Sequence, residues 1–315
     1  MTTMPVPVLR RDSLQGIACL CAGLAVFSIQ DLILKKLSGD YPLYEAMIVR
    51  SLTAMPLLLG IVHCTSGFKS LLTPGWSQAM LRGLVMFTAY TCYYLALAAL
   101  PLATTVALYF SAPLFITLLS VLMLKEKVGT RRWLAVAAGF VGVIIMLRPG
   151  GMLFDWARII AAISGLCYGL SMVTARQLGG QHSAAVLALY GNVVFLLGAC
   201  LFALMFASGN FSHVQHKSLE FFMRGWVSPT RNDLILMMSC GVIAALGLTL
   251  LTQAYRVAEA NVVAPFEYTA LIWGVIYGWI FWRDWPDTTA WIGISIIVGA
   301  GLYVLYRERL GQTQG

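Results

Sequence analysis

Ten near-continuous apolar stretches constrain this chain more than any other feature. They cover residues 13–34, 43–62, 79–100, 102–124, 133–147, 159–175, 184–207, 234–255, 262–282 and 289–306. A membrane-crossing helix needs about 20 mostly apolar residues, and inside hydrocarbon every backbone N–H and C=O must be satisfied by the chain itself. Barrel strands meet that demand with alternating segments of about ten residues, whereas these runs are continuous and of helix length. The expected fold class is all-α and integral to a membrane, with ten transmembrane helices. Composition agrees, since 59% of the 315 residues are hydrophobic and 11% are charged, where a soluble domain carries about a quarter charged. The first stretch follows Arg10 and Arg11 as a signal peptide would. It runs on to Leu34 without a convincing cleavage site, so it reads as the first span.

The net charge of +8 does not point to nucleic acid, because the basic residues fall between apolar runs in short clusters such as Lys125, Lys127, Arg131 and Arg132. With the N-terminus in the cytoplasm, twelve basic residues lie on that side, Lys69 and Arg82 among them, and eight on the other, Lys35, Arg148 and Arg283 among them. Three of the eight belong to one long connection, 208–233, which weighs less than short loops do. Both termini are therefore expected in the cytoplasm. The seven cysteines contain no CxxC and read as small buried hydrophobes, so neither a disulfide framework nor a metal site is expected. His213 and His216 make an HxxH in the polar connection and read as solvent-exposed. No P-loop, HExxH or serine nucleophile elbow is present, and Ser171 lacks glycine flanks, so neither ATP drive nor enzymatic activity is expected and no cofactor is implied.

Five spans plus five invite a search for duplication. "AALPLATTVALYF" (98–110) lies against "YRVAEANVVAPFE" (255–267), pairing Ala103 with Ala260, Ala107 with Ala264 and Phe110 with Glu267. One residue out of phase, "EKVGTRRW" (126–133) lies against "DWPDTTAW" (284–291). Because five is odd, the second copy enters the membrane from the opposite side, an inverted repeat of the kind that places a binding site between two halves at mid-membrane. The domain organisation is then a cytoplasmic tail at 1–12, a first half at 13–148, a second half at 154–307 containing the long connection, and a cytoplasmic tail at 308–315.

The stretches "LPLATTVALYFSAPLFITLLSVLMLKEKVGTRRWLAVAAGFVGVIIMLRP" and "VVAPFEYTALIWGVIYGWIFWRDWPDTTAWIGISIIVGAGLYVLYRER" resemble the two halves of EamA-type transporters of the drug/metabolite transporter superfamily. Arg50, followed by Ser51 and Leu52, is similar to the family's usual second-span arginine. The resemblance covers almost the whole chain. It implies a ten-helix carrier with a central cavity and alternating access, in a bacterial cytoplasmic (inner) membrane. The connection 208–233 is more polar than the family's typical link.

Candidate site residues follow from polar groups within the spans. Glu267 stands in apolar sequence, where a charged group costs several kcal/mol and normally faces protein or water. Ala260, Ala264, Glu267, Leu271, Gly274 and Gly278 repeat at the spacing of one helix face, mostly small residues that allow close packing. Pro265 deprives the Asn261 carbonyl of its donor, and Pro113 interrupts the matching span of the first half, so both are helix-break candidates. Breaks at corresponding places point to a transporter's site. Phe87, Tyr90 and Tyr94 share a stripe of the third span, with Tyr93 beside it. Rings and a carboxylate together suit a substrate with a planar or cationic part. Arg50, about 10 Å deep at 1.5 Å per residue, is read as holding a substrate carboxylate or pairing with Glu45. Asp31 and Lys35 have the spacing of an intrahelical pair, though Gln30 and Asp31 remain cavity candidates, as does Gln253. Gly165 and Gly169 form a GxxxG for packing within the bundle. The leading expectation is a secondary transporter or facilitator exporting an amino acid or related metabolite, with Glu267 available for coupled protons. The alternative is uptake of a nucleoside-like or vitamin-like compound such as S-adenosylmethionine or a flavin.

Overall fold

The computed structural model describes residues 11–72, 74–124, 129–147, 155–178, 182–209, 216–257 and 264–312. His213, Glu259, Ala260 and Asn261 lie outside them. The described residues are mostly helical, and no strand occurs among them. The helices are α1 (Arg11–Leu37), α2 (Leu43–Thr65), α3 (Trp76–Ala99), α4 (Leu102–Tyr109), α5 (Ala112–Leu124) and α6 (Thr130–Leu147) in the first half. The second half has α7 (Trp156–Leu178), α8 (Ala184–Phe206), the short α9 (Lys217–Met223), α10 (Arg231–Val257), α11 (Thr269–Tyr277) and α12 (Thr288–Gln312).

Seven helical segments are long and apolar enough to cross a membrane: those in α1, α2, α3, α7, α8 and α10, and α4 with α5 taken together. Residues 133–147 and 288–303 are shorter apolar helices. The ninth stretch is not one α-helix. It passes from a 3-10 turn (Ala264–Tyr268) through α11 into a π turn (Gly278–Trp282) that ends at Arg283 with a positive φ of 58°.

Local chemistry sets the ends and breaks. Ser183 caps α8 by accepting from the Val186 N–H at 3.3 Å, and α4 opens directly after Pro101, whose missing N–H costs nothing at a helix start. Pro113 cannot donate to Tyr109, four residues back, and its ring crowds that carbonyl. The span accordingly divides between α4 and α5, and the Ser111 hydroxyl turns back to donate to the Leu108 carbonyl at 2.6 Å. Pro265 occupies the second position of the 3-10 turn that holds Glu267.

α1 packs on α10, α3 on α7 and α8, α2 on α8 and α10, and α6 on α12, while α4 and α11 meet across the centre. The GxxxG of α7 meets the α4/α5 break: a Cβ on Gly165 would come 2.9 Å from the Tyr109 carbonyl oxygen, and one on Gly169 would come 3.3 Å from Phe115 Cβ. Gly274 and Gly278 turn toward Val106 and Leu102 of α4, and Leu271 is buried with them. The part of the stripe from Leu271 to Gly278 therefore faces the interior although the helix beneath it changes type.

Within the long connection, α9 buries Ser218 and Phe221 and packs on α3 and α2. His216 is not solvent-exposed. It is part-buried, 3.0 Å from the Asp155 carboxylate, with its ring 4.3 Å from that of Trp156. The expectation of buried cysteines holds fully for Cys240, whereas Cys64 and Cys200 are exposed on the outer surface of the bundle, where lipid suits a thiol as well as protein does.

Candidate functional site

A cavity opens where α1, α3, α4, α7, α10 and α11 converge, lined mainly by rings and aliphatic groups. α1 contributes Phe27, Ser28 and Asp31, and α3 contributes Tyr90 and Tyr93. Val106, Tyr109 and Phe110 reach it from the broken span, Tyr168 from α7, Leu251 from α10 and Gly274 from α11. The rings form a continuous chain: Phe27 to Tyr90 at 6.3 Å, Tyr90 to Tyr94 at 5.9 Å, Tyr94 to Tyr93 at 5.5 Å, then Tyr109 and Tyr168 at 5.0 Å each. Such separations are those of favourable aromatic pairs.

Asp31 is the acid on this wall. Its Oδ2 accepts from the Tyr93 hydroxyl at 2.9 Å. The anticipated pair with Lys35 does not form. Lys35 instead donates to the Leu97 and Leu100 carbonyls at 3.0 and 2.6 Å, neutralising the C-terminal end of α3, and lies 5.5 Å from the Trp282 ring. Exposed helix-end carbonyls carry partial negative charge that attracts a cation, and these lie within reach. Neither the His216–Asp155 nor the Arg224–Glu220 ion pair involves Asp31, which has no ion-pair partner among the described residues.

Arg50 is also placed differently from one reading of it. It does not pair with Glu45, whose Oε2 accepts the Val227 N–H at 3.2 Å. Arg50 is 1% exposed, donates from Nε to Gln30 Oε1 at 3.2 Å, and lies 5.0 Å from the Phe195 ring. Gln30 in turn donates to the Tyr94 hydroxyl, so the relay ties α2 to α1 and α1 to α3 just behind the cavity wall. One terminal nitrogen of Arg50, Nη2, has no hydrogen-bond partner in the protein. Glu267 is 1% exposed and accepts from the Tyr168 hydroxyl at 3.4 Å, a bond at the long limit. It therefore stands one side chain behind the cavity, while Phe110, its counterpart in the repeat, is on the wall. Gln253 is half-buried on α10 and lines neither this cavity nor the next.

A second cavity adjoins the first and shares Tyr168 and Leu251 with it. Arg82, Met86, Met172 and Phe195 line it. Arg82 had been counted as a cytoplasmic topology charge, but the structure buries it to 6% exposure, with its Nε donating to the Ser171 carbonyl at 3.2 Å. Its position carried a signal: Arg82, Met86, Tyr90 and Tyr94 recur every four residues, the same face as the tyrosines. Tyr109 and Tyr168 were missed, since each stands in apolar sequence where ordinary packing explains a ring equally well.

Comparison with known proteins follows this geometry. Residues 14–148 and 155–307 each match the EamA-like transporter family. This chain belongs to the EamA-like transporter family. Among similar proteins is the S-adenosylmethionine uptake transporter of Rickettsia prowazekii (strain Madrid E), 24% identical over 94% of both chains. The riboflavin transporter of Rhizobium johnstonii (strain DSM 114642 / LMG 32736 / 3841) is 31% identical over 67% of this chain and 64% of its own. That of Vibrio cholerae serotype O1 (strain ATCC 39315 / El Tor Inaba N16961) is 28% identical over 92% of both. A crystal structure 16% identical to this chain superposes with a TM-score of 0.65, covering 94% of this chain and 98% of that one, and so shares its fold. Within the EamA-like family this protein is a multi-pass membrane transporter of a small molecule, and the cavity at the meeting of its two matched segments is the candidate site.

Proposed function

We propose that the chain imports a nucleoside-like metabolite with a cationic part, of the S-adenosylmethionine type, across a bacterial inner membrane by alternating access. Riboflavin-type uptake is the second reading, favoured by the relatives of that name. The observation that carries the first is Asp31: a carboxylate with no cationic partner among the described residues, at the rim of a cavity of tyrosine rings. A flavin offers rings to stack but no positive charge. A sulfonium compound offers both, and ring faces attract cations by about 0.5–2 kcal/mol each. Uptake is preferred to the export of an amino acid because relatives along the whole chain are named for uptake.

In this reading all ten apolar stretches span the membrane, both termini are cytoplasmic, and the two five-span halves are inverted copies closing on the cavity from opposite sides. Tyr90, Tyr109 and Phe110 hold the planar part, Asp31 the cationic sulfonium, and the Arg50–Gln30–Tyr94 relay fixes the wall. Glu267, behind Tyr168, carries the coupled proton. Uptake of labelled S-adenosylmethionine and labelled riboflavin by cells with and without the protein tests this. The sulfonium compound is expected to accumulate several-fold over control cells, faster with an inward proton gradient. Accumulation of riboflavin alone would select the second reading, and indifference to the gradient would remove Glu267 from proton coupling.

A further inference from the structure

We infer that Arg82, in the second cavity, is the binding site for a carboxylate at the far end of the substrate, so that the two cavities form one elongated site for a zwitterion. The inference rests on the reading of this protein as an importer of nucleoside–amino-acid conjugates. A guanidinium that is 94% buried within a membrane span, with no acid in ion-pair contact among the described residues, is an expensive object to keep. Its Nε is spent on the Ser171 carbonyl, which fixes the plane of the fork on the cavity side. The cavity that Arg82 lines is walled by Met86, Met172, Phe195 and Tyr168 among others, and none of its lining residues is an acid. A planar, two-toothed cation in an apolar chamber is suited to a carboxylate, which it meets with two parallel hydrogen bonds.

The layout suits a molecule whose sulfonium and rings are set apart from a terminal carboxylate. Along α3 the order is Arg82 and Met86 in the second cavity, then Tyr90 and Tyr93 in the first, where Tyr93 holds Asp31. Tyr93 and Arg82 are eleven residues apart, about 16 Å of helix rise. Tyr168 and Leu251 form the common wall. Tyr168, whose hydroxyl donates to Glu267 at 3.4 Å, stands at the junction of the two chambers. The acid at one end and the arginine at the other then set the orientation of the bound molecule.

The test compares S-adenosylmethionine with its decarboxylated analogue, binding each to the purified full-length protein and to the Arg82→Gln and Arg82→Lys variants. Wild type should bind the carboxylate-bearing compound at least about tenfold more tightly, a difference of about 1.4 kcal/mol. Arg82→Gln should lose that preference while keeping wild-type affinity for the decarboxylated analogue, which also reports that it is folded. Arg82→Lys, a point charge without the fork, should keep part of the preference. Equal affinity of wild type for the two compounds would overturn the inference without recourse to any variant, as would an Arg82→Gln variant that still prefers the carboxylate. Wild type that binds neither compound would overturn the substrate reading, and this inference with it.

Discussion

Buried polar residues tie the helices of this protein together around the candidate site, and Gln30 shows how. It is 0% exposed, its carbonyl oxygen receives Arg50 and its amide donates to Tyr94. Removing one partner from such a relay leaves the others desolvated and unpaired, a cost of about 1–3 kcal/mol per group. Gln30→Leu should therefore lower the melting temperature in detergent clearly, since it strands the Arg50 guanidinium, and an unchanged melting temperature would show that Arg50 is satisfied in some other way. The contrast with Lys35 is instructive. Spacing in sequence suggested an intrahelical pair with Asp31, but a pair worth about 0.2–0.5 kcal/mol yields to the carbonyls at the end of α3, which offer two bonds and a favourable dipole. Local spacing could not reveal a competitor supplied by another helix. The same limit hid Arg82, where nearness to a basic loop argued for topology and the four-residue recurrence with Met86, Tyr90 and Tyr94 argued for the cavity.

At the scale of elements, breaks and close approaches position the site. The proline that divides α4 from α5 exposes backbone at Tyr109 and Ser111, and α7 comes up against it because Gly165 has no side chain. That contact carries Tyr168, three residues further along α7, into the cavity. Gly142 and Gly293 do the same for α6 and α12: a Cβ on Gly142 would meet the Gly293 carbonyl oxygen at 3.1 Å, and one on Gly293 the Gly142 carbonyl at the same distance. Gly165→Val should cost about 1–3 kcal/mol, as overpacking does, and should slow transport by displacing Tyr168. Gly60→Ala in α2, whose Cβ would meet nothing within 4 Å, should leave both unchanged. Equal melting temperatures and rates for the two variants would refute the assigned contact. The existence of the helices and the break at Pro113 were legible because apolar runs and proline act locally. The 3-10 and π turns around α11 were not, because the stripe from Ala264 to Gly278 suits several helical pitches.

The whole molecule is read as two matched segments closing on a shared cavity, with charge arranged along its length rather than scattered. The all-helical membrane class was legible from the apolar runs, and the family from the likeness of residues 100–149 and 262–309 to EamA-type transporters. Substrate was not, because it depends on which side chains of distant helices converge, and Tyr168 gave no signal of its own. If, as proposed, the carrier exposes one site alternately to the two sides, any ligand of that site must exchange across the membrane. Counterflow measures that exchange. Purified protein is reconstituted into vesicles loaded with unlabelled S-adenosylmethionine, and entry of the labelled compound is followed. Wild type should drive transient accumulation well above that in protein-free vesicles, and Asp31→Asn should reduce it to their level. Wild-type vesicles that take up no more label than protein-free ones, or an Asp31→Asn variant that matches wild type, would contradict the account.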